Sequence, residues 1–186
     1  MPEFEDMCAT LKRSAAALRD ADVPFMLGGG LAAWARGGPE SDHDLDYMVR
    51  EEDAERALET LTAAGLRPER PPEDWLFKAW DGDILVDIIF RPASGEVTED
   101  QFARAEVLEV LAIRMPVMAL EDIFTTRLLA LSEQHLELKP VVELARSVRE
   151  QVDWETVRDR TSESPFAQAF FTLVEELGIV TAASVG

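Results

Sequence analysis

Residues 24–49 read PFMLGGGLAAWARGGPESDHDLDYMV, and the order of the parts in this stretch decides the fold class. Pro24-Phe25-Met26-Leu27 is a short apolar run closed by Gly28-Gly29-Gly30, which predicts a buried strand running into a tight turn. Leu31 to Arg36 are good helix formers, but Gly37-Gly38-Pro39 stops them after about two turns. His43 to Val49 then alternate with period two and end in strand formers, predicting a second strand. Gly28-x-Gly30-x-x-Ala33 also satisfies a relaxed dinucleotide fingerprint, the alternative of a Rossmann-type nicotinamide enzyme. That motif needs a full helix and a parallel strand ending in an acid. Here the helix stops at Gly37 and the acids lie inside the strand.

Working outward, Phe4, Met7, Cys8, Leu11, Ala15 and Leu18 recur at helical spacing, so an amphipathic helix is expected from Pro2 to Asp20. On the other side a helix begins at Glu51, with Glu51, Glu52 and Asp53 at its positive end, and stops at Gly65. Arg67 to Asp74, with three prolines, is expected to be a loop. Trp75–Trp80 and Ile84–Phe90 flank Asp81-Gly82-Asp83 and predict an antiparallel hairpin. Val107 to Ile113 reads as one further strand. From Ala119 the pattern becomes helical, with helices expected near 140–149, 153–160 and 164–177, the last opened by the Ser164-Pro165 cap pair. The fold class is therefore α/β: a small mixed sheet of about four or five strands flanked by helices, with a helical carboxy-terminal segment. The composition changes near Met115-Pro116, which suggests a mixed α/β domain over 1–116 and a helical subdomain over 117–186.

A chain of 186 residues with 47% hydrophobic residues can bury a substantial core. Its 37 acidic and 18 basic residues give a net charge of -19, which disfavours long nucleic acids and anionic lipid as partners. A small-molecule or protein acceptor is expected instead. One cysteine, Cys8, excludes an internal disulfide, and no apolar run reaches the ~20 residues of a membrane span. The opening MPEFEDM lacks the basic and apolar regions of a secretory signal, so a cytoplasmic location is expected. His43 and His135 have no cysteine or histidine cluster beside them, which argues against zinc.

Three carboxylates stand out. On a strand, Asp44 and Asp46 project from the same face and repel each other. A shared hard cation relieves this most simply, and Mg²⁺ is commonly held by one or two carboxylates plus substrate phosphates. A solvated strand face is the plainer alternative. Asp87 lies inside Ile84-Leu85-Val86-Asp87-Ile88-Ile89-Phe90, where a lone charge is costly, so it must be paired, neutralised or metal-bound. Lys78 and Arg91 are the candidate ion-pair partners. The glycines between strand and helix let backbone N–H groups approach and cradle phosphate oxygens, although glycines also end strands for conformational reasons alone.

Together, Leu27-Gly28-Gly29-Gly30-Leu31-Ala32, Asp44-Leu45-Asp46 and Val86-Asp87-Ile88 resemble the nucleotidyltransferase superfamily that includes DNA polymerase beta. The resemblance covers about residues 22 to 92. Through Leu120-Glu121-Asp122-Ile123 and Lys139 to Glu143 it extends to the small bacterial branch of AbiEii-type toxins and lincosamide-type antibiotic nucleotidyltransferases. It implies a transferase that moves a nucleoside monophosphate from an NTP, such as ATP, to a hydroxyl acceptor. It also implies two Mg²⁺ (or Mn²⁺) ions on Asp44, Asp46 and Asp87, with Asp87 also deprotonating the acceptor. Gly29, Gly30 and Lys139 would border the nucleotide, and Arg127 would match a lysine that relatives place nearby. Glu40 stands where many relatives have arginine, Asp42 where a small hydroxyl residue is usual, and Pro140 where an aspartate often follows the lysine. These departures leave room for a non-catalytic nucleotide-binding or partner-binding module of toxin-antitoxin type.

Overall fold

The computed structural model describes residues 4–40 and 44–181. Helix α1 (Phe4–Asp20) precedes strand β1 (Met26–Leu27), helix α2 (Gly29–Ala35), strand β2 (Leu45–Met48) and helix α3 (Glu51–Ala63). Then come strands β3 (Arg67–Glu69), β4 (Leu76–Asp81) and β5 (Ile84–Ile89), helix α4 (Glu99–Arg104) and strands β6 (Glu106–Val110) and β7 (Ile113–Val117). Helices α5 (Leu120–Leu129), α6 (Leu138–Val148), α7 (Trp154–Arg160) and α8 (Pro165–Glu176) follow. Pro2, expected to open the first helix, and Asp42 and His43, expected at the head of the second strand, lie outside the described residues.

The strands form one mixed sheet of order β3-β4-β5-β2-β1-β7-β6. β2 runs parallel to β5, and β1 parallel to β7; the other neighbours are antiparallel. The antiparallel β1–β2 pair rules out the dinucleotide-binding βαβ unit, whose first two strands run parallel. The sheet has seven strands rather than four or five. One addition is β3, which occupies part of the expected proline loop; it pairs only with β4, and proline is tolerated at such an edge. The other arises because residues 106–117 form a hairpin rather than one strand. Its turn, Leu111-Ala112, has φ of 51° and 64°, the conformation that Asn-Gly normally supplies. Short helix α4 was also unanticipated, although Thr98 and Gln101 make a reciprocal capping box at its start.

Alternation along the strands sorts the side chains. Leu45 and Tyr47 point to one face, where the Tyr47 hydroxyl lies 2.8 Å from Ser14 Oγ of α1. Asp46 and Met48 point to the other. The carboxy-terminal helices gather around buried Phe124, whose ring centroid is 4.8 Å from that of Trp154 and 6.5 Å from that of Phe170. Two polar ties fix α5. Arg36, at the end of α2, donates from Nε to Met118 O at 2.6 Å and from Nη2 to Val117 O at 2.9 Å. Asp122, 3% exposed, accepts from Arg104 and Arg160 at 2.9 Å each. Among the described residues no helix is long and apolar enough to cross a membrane.

Candidate active site

The parallel register of β2 and β5 sets Asp46 directly opposite Asp87, and the antiparallel register of β5 and β4 sets Asp87 opposite Lys78. Opposed residues share a face and stand about 5 Å apart. On the far side of Asp46, Gly28 donates its N–H to Asp46 O at 2.8 Å. One row therefore crosses three strands, from the glycine turn through two carboxylates to a lysine. Asp44 lies one residue before β2 and is exposed, two residues along the chain from Asp46.

Lys78 Nζ donates to Asp87 Oδ1 at 3.2 Å, with only 15% of the Asp87 side chain exposed. This is one of the two partners that the sequence offers; the other, Arg91, pairs with Glu51 instead. Burial still holds the Asp87 carboxyl above its usual range, Lys78 opposes it, and Asp44 and Glu69 add to the rise. Asp46 is pushed from 3.8 to about 7, first by burial and then by the negative charges of Asp87 and Asp44. The Arg127 guanidinium and the Gly30 N–H act in the opposite direction. Burial in turn makes Arg127 a weaker base than usual, against the pull of Asp46.

Gly29 has φ of 59°, and a Cβ built there would overlap the Asp46 carboxylate. The turn is therefore packed so closely on Asp46 that only glycine fits, and its N–H groups open toward the carboxylate row. The structure brings Asp46, Gly29 and Gly30 together. Lys139 does not join them: its side chain is 85% exposed, lies 3.7 Å from Glu143, and lines a separate cavity with Leu138, Arg146 and Leu173. Arg127 on α5 and Arg91 are the cations that line the Asp46 cavity.

That cavity, of about 530 Å³, lies between the sheet face and α5. Met48 and Ile89, each two residues beyond an aspartate of the row, form its floor, with Trp75 and Ile123 among its walls. None of these was singled out in the sequence. The signal was present for two of them, because period two places Met48 with Asp46 and Ile89 with Asp87.

A family model described as uncharacterised nucleotidyltransferase matches residues 6–175. A search of curated proteins finds no match. Among solved structures, ANT(2'')-Ia in complex with adenylyl-2''-tobramycin superposes with a TM-score of 0.64 at 17% identity, over 88% of this chain and 98% of the other. The solution structure of the same antibiotic-resistance factor gives 0.61 at 18%, over 92% and 96%. An antigenic nucleotidyltransferase-like protein from Paracoccidioides brasiliensis gives 0.52 at 12%, over 94% and 89%. At these identities the superpositions establish a shared fold.

Proposed function

The chain belongs to the uncharacterised nucleotidyltransferase family, and from that premise we propose that it transfers a nucleoside monophosphate from an NTP to a hydroxyl of a small molecule, using Mg²⁺ held by Asp44, Asp46 and Asp87. The observation that carries this reading is the Asp46–Asp87 pair on adjacent parallel strands, directly beneath the turn that Gly29 and Gly30 form. A carboxylate pushed to about 7 by burial and then by the charges of Asp87 and Asp44 is one that a bound cation would favour in its ionised form.

The donor set fits a hard cation, being all oxygen and twice acidic along one row. Among the described residues no three such side chains form a preassembled cage, which suits an ion that completes its shell with phosphates and water. Such an ion supplies charge neutralisation of the triphosphate and of the departing pyrophosphate. The chain's own residues do the rest. Gly29 and Gly30 N–H groups orient phosphate oxygens, and Arg127 adds a fixed positive charge beside Asp46. Asp87, kept basic by burial and steadied by Lys78, takes the proton of the acceptor hydroxyl as its oxygen attacks the α-phosphorus and the bond to pyrophosphate breaks.

The test is Mg²⁺-dependent pyrophosphate release with each of the four NTPs across a panel of hydroxylated small molecules. Asp87→Asn keeps the shape and is expected to lower kcat by about 10²–10⁴-fold with an unchanged melting curve. Full activity in that variant sinks the assignment of Asp87. A variant that unfolds leaves Asp87 a structural half of the Lys78 ion pair.

A further inference from the structure

The cavity above Asp46 is chemically lopsided. Met48, Ile89, Met118 and Ile123 make its floor and inner wall, and Trp75, 40% exposed, stands at its rim. Exposed tryptophan beside a deep apolar hollow marks a place where an apolar ligand can be covered. The polar groups in the lining are few and mostly committed. Thr126 Oγ1 is 2.8 Å from Ser94 Oγ, and Arg91 holds Glu51 through two hydrogen bonds of 3.1 and 2.6 Å. Asp46 is the one carboxylate in the lining, set against Arg127 and Arg91.

We infer that this cavity receives the hydroxyl acceptor, and that the acceptor is a largely apolar, uncharged compound, not a polyamine. A polyamine seated here would lose the hydration of several ammonium groups against methionine and isoleucine side chains, with two arginines nearby and one carboxylate, Asp46, in the lining. A nucleobase would need donors and acceptors along its edge, and the wall has few to spare. A flat or aliphatic hydroxyl compound meets neither obstacle. It can lie between Trp75 and Ile123 with its hydroxyl turned down to the carboxylate row. The fold shared with ANT(2'')-Ia thus carries a pocket unsuited to an aminoglycoside such as tobramycin.

This inference rests on the transfer reading above, and the experiment separates the two. The full chain is titrated with 4-methylumbelliferone, a flat neutral phenol read by fluorescence anisotropy, and with tobramycin by calorimetry, each with and without Mg·ATP. The expected result is that the phenol binds together with Mg·ATP, that tobramycin binds at least ten-fold more weakly, and that Trp75→Ala weakens the phenol at least five-fold while Trp75→Phe restores most of the loss. Tighter binding of tobramycin overturns the inference, as does indifference to Trp75→Ala. Competition between the phenol and ATP also overturns it, by assigning the cavity to the nucleobase. If the phenol binds but Mg·ATP does not, the transfer reading fails and the acceptor assignment falls with it.

Discussion

Asp46 shows how a single residue can hold a fold and a site in opposition. In the native chain it binds a proton up to a pH of about 7, against 3.8 for an ordinary aspartate. Between those values the native state holds more protons than the unfolded one, so the stability present below pH 4 is lost as the pH rises through 7. A shift of that size, discounted for partial exposure of the side chain, is worth about 2 kcal/mol. Asp46→Asn carries no charge at any pH and is therefore expected to raise the melting temperature of the ligand-free protein by about 4–8 °C at pH 8, and hardly at all at pH 4. Thermal melts of both proteins across that range check it. Mg·ATP is expected to reverse the order, because in the proposed transfer its stabilisation of the native protein acts through the charge that the variant lacks.

At the scale of elements, the hairpin of β6 and β7 carries a correctable cost. Ala112 is exposed and has φ of 64°, a conformation that costs a non-glycine residue about 1 kcal/mol. Ala112→Gly is expected to raise the melting temperature by about 2–4 °C without touching the site; an unchanged or lower value means the turn is not strained. The same turn explains an error of reading. With neither glycine nor asparagine at Leu111-Ala112, nothing in the local chemistry separates two strands, whereas Gly82 made the β4–β5 hairpin plain. The helices of the carboxy-terminal half were legible from periodicity and from the Ser164-Pro165 cap, which accepts a bond from Ala167 N at 3.2 Å. Of the candidate site, the aspartates and the glycine turn were legible because like charges and three glycines are rare on a buried strand. The cavity was not, because its walls come from segments far apart in sequence, such as Trp75, Met118 and Ile123, and only the sheet order brings them together.

For the whole molecule, a net charge of -19 sets what can approach. Each phosphate neutralised on a nucleic acid needs a lysine or arginine at the surface, and many arginines here are already committed to carboxylates: Arg91 to Glu51, Arg104 and Arg160 to Asp122, Arg70 to Glu55. Filter binding of bulk tRNA at two salt concentrations is expected to show no retention near physiological salt. Tight retention that weakens steeply with salt would move the acceptor from a small molecule to an RNA end.

Arg36 gives the site its mechanical character. By gripping the carbonyls of Val117 and Met118 from the end of α2, while Met118 N reaches Leu27 O at 2.9 Å, it rivets the glycine turn to the lead-in of α5. One margin of the cleft is thereby stiff, and the distance from the phosphate-facing turn to Arg127 is set before any ligand arrives. The opposite margin, where Trp75 and the Arg91-Pro92-Ala93 loop stand outside regular structure, is tied instead by the N–H groups of Phe90 and Arg91, which both donate to Trp75 O, at 3.1 and 3.2 Å. In the transfer proposed above, the nucleotide's end would meet a gauge set by one arginine, and the acceptor's end one set by the backbone of a neighbouring loop.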